Sequence, residues 1–94
     1  MLNSKPQRLT ATITGEVQAV GFRYWARRSA DDLGLTGSAI NNPDGSVSLV
    51  AEGPTSGLTE LLRRIEAGET PGRVDSVDAA LKESSGSSTG FECL

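Results

Sequence analysis

The segment Gly15-Glu16-Val17-Gln18-Ala19-Val20-Gly21-Phe22-Arg23 joins a glycine-bracketed stretch to an arginine. Placed ahead of a helix, the amides of such a segment receive an anion, because the first N–H groups of a helix lack carbonyl partners and its dipole is positive there. Arg23 falls in the first turn of the helix expected to follow, where a cation opposes that dipole at a cost of roughly 0.3 kcal/mol or more. A bound phosphate removes the conflict: the planar guanidinium grips two of its oxygens and the amides take the others. The same residues also suit a plain strand-to-helix turn followed by a solvated arginine. Spacing alone does not separate these two readings.

Several other phosphate chemistries are absent from the chain. The pattern G-x-x-x-x-G-K-[ST], which cradles nucleotide phosphates, occurs nowhere. A thiolate phosphatase loop of the Cys-x5-Arg kind needs cysteine where Val17 stands, and Cys93 is far away in sequence. There is no histidine, which removes the commonest general base, the commonest metal ligand and phosphohistidine chemistry together. Asp31, Asp32, Asp44, Glu52, Asp75 and Asp78 show no metal-ligand spacing and read as solvated carboxylates, so neither a metal nor a cofactor is expected. What remains is hydrolysis of a phosphoryl compound so reactive that positioning and charge stabilisation suffice. Mixed carboxylic–phosphoric anhydrides qualify, since a carboxylate leaves without a strong acid. A neutral amide can orient the attacking water, and Asn41 is the candidate. The alternative for Asn41 is a turn role like that of Asn42.

The 94 residues fit one domain with one core. We assign residues 1–7 to a flexible N-terminal segment and 8–94 to the domain. A net charge of −3 and a pI near 4.8 argue against sequence-independent nucleic-acid binding, which needs dense Lys and Arg. A local nest of amides with one arginine still binds a small anion on an acidic chain. The single Cys93 forms no internal disulfide and fits a reducing cytoplasm. No stretch approaches the roughly 20 apolar residues of a membrane span, so a membrane partner is not expected.

These side chains need elements to position them. Leu9, Ala11 and Ile13 alternate with Arg8, Thr10, Thr12 and Thr14, the period-two pattern of a half-buried strand. Phe22, Ala26, Ala30 and Leu33 recur at helical spacing, and Gly34 supplies a stop. Residues 37 to 41 and the alternating Val47, Leu49 and Ala51 flank the turn Asn42-Pro43-Asp44-Gly45, which predicts a hairpin. Pro54-Thr55-Ser56 offers helix-start chemistry for a stripe of Leu58, Leu61, Leu62 and Ile65 closed by Gly68. After Pro71-Gly72 come Val74, Val77, Ala79 and Leu81, a strand whose alternation is regular only from Val77 onward. A polar loop, Ser84 to Gly90, precedes a short terminal strand around Phe91. The order βαββαβ, with a possible short fifth strand, predicts an α+β, ferredoxin-like split β-α-β sandwich, two helices covering one face of an antiparallel sheet.

The chain resembles the acylphosphatase family at Gly15 to Arg23 and at Leu33-Gly34-Leu35-Thr36-Gly37-Ser38-Ala39-Ile40-Asn41-Asn42-Pro43-Asp44-Gly45-Ser46-Val47. The similarity continues through Ala51-Glu52-Gly53, the second helix, Pro71-Gly72-Arg73-Val74 and Gly90-Phe91. It implies hydrolysis of small-molecule acyl phosphates to carboxylate and inorganic phosphate, with phosphate a product and competitive inhibitor. Arg23 and Asn41 stand at the motif positions of the family's two catalytic residues, and the phosphate-binding loop comprises Glu16, Val17, Gln18, Ala19, Val20, Gly21, Phe22 and Arg23. No cofactor is implied, and a monomer is the simplest state.

Three residues depart from the family pattern. Ala19 replaces a usual glycine, and costs roughly 1 to 2 kcal/mol if the position needs positive φ. Ser38 and Ile40 stand where an aromatic and a basic residue are common, which predicts a thinner core and weaker substrate attraction. The competing class is a non-catalytic anion sensor or RNA-binding module on the same fold. Its RNA form expects aromatic stacking residues on central strands, whereas Tyr24 and Trp25 fall in the predicted helix.

Overall fold

In the computed structural model, residues 7–83 are described in full and residues 91–93 as backbone. The expected loop over 84–90 and the Cys93 thiol lie outside the described residues.

The elements run β1 (Gln7–Glu16), α1 (Phe22–Leu33), β2 (Thr36–Asn41), β3 (Val47–Gly53), α2 (Thr55–Glu66), β4 (Arg73–Glu83) and β5 (Phe91–Cys93). They build one sheet in the order β4-β1-β3-β2-β5. All neighbours are antiparallel except β5, which lies parallel to β2. The expected split β-α-β sandwich is therefore the observed fold. Gln7 already belongs to β1 and accepts a 2.8 Å hydrogen bond from Thr55 Oγ1 through its Oε1.

Strand periodicity determines which face the helices cover. Leu9, Ala11 and Ile13 of β1 sit opposite Ala51, Leu49 and Val47 of β3, and all six are buried. Phe22, Ala26 and Ala30 of α1 and Leu58, Leu61 and Ile65 of α2 close over them. Each fully buried large apolar side chain stabilises by about 1.5 to 3 kcal/mol, so this layer is the main attractive force in the fold. The opposite face bears Thr10, Thr12, Ser48 and Asp78 beside Val50 and Ala80. None of these described side chains is aromatic, so they offer no stacking surface of the kind the RNA-binding alternative needs.

Three local expectations change. α2 begins where Pro54-Thr55-Ser56 suggested, but Pro54 is its N-cap and no side chain caps the helix. Thr55 instead ties α2 to β1 through Gln7. The uneven spacing of Val74 and Val77 is a β-bulge: Thr14 pairs with Ser76 and Gly15 with Val74, leaving Asp75 as the extra residue. Both valines consequently pack on the core. Ala79 and Leu81 are exposed although they follow Val77 in phase, Leu81 at 44 %. β4 is an edge strand with β1 as its one neighbour, so side chains there have an open flank. Finally, Ser38 and Ile40 alternate with buried Gly37 and Ala39 and so face away from the helices. An aromatic at position 38 would not enter the helix-covered core, and the expectation of a thinned core is corrected.

No described helix is long and apolar enough to cross a membrane.

Candidate active site

β1 and β2 end near the start of α1, and a small pocket of about 110 Å³ lies among them, lined by Val17, Ala19, Gly21, Phe22, Arg23, Tyr24 and Asn41. Pockets for drug-sized ligands run to roughly 300 to 1,000 Å³, so this one suits a compact group. Its base is the N-terminus of α1. The first hydrogen bond there runs from Trp25 N to Gly21 O, 2.9 Å, and the amides before it have no carbonyl one turn back. Neither a side-chain cap nor a first-turn acid is present. The positive end of the helix therefore faces a pocket that also holds a guanidinium.

The backbone leading in is held open by particular residues. Gly15 passes so close to β4 that a Cβ would stand 2.1 Å from Arg73 O. At the other side of the loop a Cβ on Gly72 would stand 2.0 Å from Glu16 O. Val17 and Phe22 are buried to within 1 % and anchor the two ends of the loop in the core. The Phe22 ring also meets Trp25, with centroids 5.6 Å apart. Between these anchors Ala19 takes φ 61°, the left-handed region that disfavours any side chain. The strain anticipated for alanine at this position is present.

Asn41 ends β2 opposite Val47, and its Oδ1 is buried without a hydrogen-bond partner among the described residues. A buried orphan acceptor costs about 1 to 3 kcal/mol, and Asn41 is one of the residues that line the same pocket as Arg23. Asn42 behaves oppositely. Its Nδ2 donates to Ser46 Oγ at 3.0 Å and Ser48 Oγ at 2.8 Å, and its backbone closes the turn through Asn42 N to Ser46 O at 2.8 Å. Asp44 Oδ1 accepts from Ser46 N at 2.9 Å and Ser46 Oγ at 2.6 Å. The Ser46 hydroxyl holds the Asp44 carboxyl below its usual range. Thus Asn42 serves the turn and Asn41 does not.

Not every residue of the expected loop lines the pocket. The Glu16 carboxylate turns outward to Arg73, 2.6 Å away. Val20, 40 % exposed, faces a larger neighbouring groove. Gln18 reaches across to the hairpin, where its Nε2 donates to Asn42 O at 2.7 Å and Ser46 O at 2.9 Å. That clamp joins the loop before α1 to the turn after Asn41, and sequence spacing held no sign of it. Tyr24 was not expected in the pocket either. A signal existed, since a helix starting at Phe22 places residue 24 in the same uncapped turn as Arg23.

This arrangement presents an uncapped helix start, a guanidinium and an unpaired amide oxygen around one compact space, which can bind an oxyanion and orient a water beside it. Comparison with known proteins gives the family. The acylphosphatase family profile matches residues 9–93. An acylphosphatase of Thermobifida fusca is 53 % identical over 85 residues, covering 90 % of this chain and 93 % of the relative. One of Mycobacterium sp. strain KMS is 48 % identical over 91 residues, covering 96 % and 97 %. The crystal structure of the Bacillus subtilis acylphosphatase superposes with a TM-score of 0.87 at 29 % identity, covering 94 % of this chain and 98 % of that one. Fold, profile and near-full-length identity converge: this chain belongs to the acylphosphatase family.

Proposed function

We propose that the chain hydrolyses acyl phosphates with the residues of this pocket, Arg23 and the amides from Val17 to Arg23 holding the phosphate and Asn41 orienting the water. Family membership makes the chain a hydrolase of small-molecule acyl phosphates. The observation that carries the residue assignment is the orphan Oδ1 of Asn41 in the pocket that Arg23 and the α1 N-terminus also line.

In this mechanism Oδ1 accepts a hydrogen bond from water, aiming the water oxygen at phosphorus. The new P–O bond forms as the bond from phosphorus to the acyl oxygen breaks, and the acyl part leaves as a carboxylate. The proton released from water ends on inorganic phosphate or in solvent. Arg23 and the helix amides neutralise the charge spread over the non-bridging oxygens, which is the dominant contribution in phosphoryl transfer. A carboxylate is stable near neutral pH, with a reference pKa of about 4, so no acid is required at the leaving group. The free product fits the cradle as the substrate phosphate does, and inorganic phosphate is a competitive inhibitor.

The remaining features of the reading follow from charge and composition. Among the described residues no group of three or more His, Cys, Asp or Glu side chains gathers as a metal site would require, and we read the reaction as metal-independent. A single cysteine suits a reducing cytoplasm. The open sheet face intersperses Thr10, Thr12, Ser48 and Asp78 with Val50 and Ala80, and we read the chain as a monomer. The direct test is turnover of benzoyl phosphate by the purified chain with phosphate as competitor. Turnover with competitive inhibition is expected, and a folded, inactive chain overturns the proposal.

A further inference from the structure

Next to the phosphate pocket lies a larger groove of about 520 Å³, lined by Val20, Gly21, Tyr24, Trp25, Arg28, Ser29, Asp32, Arg64 and Pro71. It shares Gly21 and Tyr24 with the phosphate pocket, so the two spaces adjoin. Resting on the reading above, we infer that this groove receives the acyl part of the substrate, and that it favours acyl groups with a flat apolar body ending in a second carboxylate.

The chemistry of the groove changes along its length. Tyr24, Arg28 and Asp32 recur at four-residue spacing and so share one stripe of α1. At 1.5 Å per residue, Arg28 stands about 10 Å along the axis from Gly21, with Tyr24 between them. The near section offers Val20, 40 % exposed, and Tyr24, 63 % exposed, beside half-buried Trp25. Two exposed apolar side chains next to a catalytic pocket bind a ring or short hydrocarbon by burial and edge or face contact. The far section changes to charge. Arg64 is already engaged by Glu60, Nε to Oε2 at 2.9 Å. Arg28 is exposed and makes no ion pair among the described residues, and Asp32 is the acid that shares the groove with it. A guanidinium has five donors, so Arg28 can hold a ligand carboxylate with Asp32 nearby. The spacing selects one class of acyl group: about one ring of apolar length between the reacting carboxyl and a distal anion.

Three substrates test this: acetyl phosphate, which has no body; benzoyl phosphate, which has a body without a distal anion; and 4-carboxybenzoyl phosphate, which has both. Their intrinsic reactivities differ, so each variant is compared with wild type on each substrate. Acetyl phosphate then reports the folded, active fraction within every preparation. Arg28→Gln is expected to lower kcat/KM for 4-carboxybenzoyl phosphate about tenfold more than for benzoyl phosphate, the effect of one charge-assisted hydrogen bond. Tyr24→Ala is expected to lower kcat/KM for both aromatic substrates about tenfold more than for acetyl phosphate. If both variants act uniformly on all three substrates, the acyl groove assignment is wrong. If wild type hydrolyses none of them, the proposed function itself fails, which is a separate outcome.

Discussion

The two helices have equal length, 12 residues each, but they carry charge in opposite senses. In α2 the basic residues Arg63 and Arg64 occupy the last turn, where the helix dipole is negative. Glu60 binds both of them at 2.9 Å, and Glu69 adds a second contact to Arg63 at 3.3 Å. α1 has no acid in its first turn and no base in its last. It has Arg23 at the start and Asp31-Asp32 at the end. Each end of α1 therefore opposes the dipole that α2 respects. The difference teaches that the charges of α2 match its dipole, whereas the start of α1 is left uncapped and basic, as the proposed phosphate site requires. The orphan Oδ1 of Asn41 and the left-handed Ala19 beside it belong to the same pattern, because local cost is tolerated where binding needs it.

That contrast breaks most visibly at Arg23. Arg23→Gln is expected to lower kcat/KM for benzoyl phosphate by about 100- to 1,000-fold and to weaken phosphate inhibition strongly. Arg63→Gln, the comparison in α2, leaves activity unchanged and shifts only Tm. Equal activity losses in both variants would erase the distinction between the helices. Asn41→Ala comes next: kcat falls about 100-fold, the phosphate inhibition constant barely moves, and Tm does not drop because an unpaired buried acceptor has gone. A Tm loss matching that of an ordinary buried hydrogen bond would show that Asn41 is structural.

Gln18→Leu tests the clamp between the α1 loop and the hairpin. Two hydrogen bonds to buried-side carbonyls are lost, so unfolding free energy falls by about 1 to 3 kcal/mol. kcat falls about tenfold, since Arg23 and Asn41 no longer share a rigid frame. An unaltered kcat alongside lower stability would mean that the clamp holds the fold alone. Ala19→Gly sharpens the comparison from the other side. Relief at φ 61° raises stability by about 1 kcal/mol, which for a domain near this size is a Tm gain of roughly 4 to 8 °C.

The smallest effect belongs to α2. Arg63 and Arg64 hold the Glu60 carboxyl down at about 2, against an ordinary 4.5. A depressed carboxyl pKa contributes stability above the unfolded value, and that contribution is lost as pH falls from 4.5 toward 2. Glu60→Gln should therefore lower Tm slightly at pH 7, the difference closing by pH 2, as thermal scans across that window would show.

Local chemistry was sufficient for much of this protein. Alternation in β1, the four-residue recurrence in both helices and the Asn42-Pro43-Asp44-Gly45 turn act between near neighbours, so the order of elements was legible from the chain. Arg23 at a helix start was legible for the same reason, because the dipole conflict arises within one turn. The slip between Val74 and Val77 was visible as irregular spacing, but its meaning as a bulge required Gly15 and β4 to meet. Position 38 was misread as a core position because burial depends on which side of β2 the helices cover. The choice between Asn41 and Asn42 lay beyond spacing, since adjacent asparagines in a turn have the same local chemistry. By itself the sequence determined the periodicities, the glycine stop of α1 at Gly34 and the unusual charge sense of α1. Only the tertiary structure decided that Gln18 reaches the hairpin, that Asn42 is consumed by the turn, and that Asn41 is left beside Arg23. The first and last of those outcomes depend on contacts between segments 18 or more residues apart along the chain, and the second on which hydroxyls the folded hairpin brings to Asn42, those of Ser46 and Ser48.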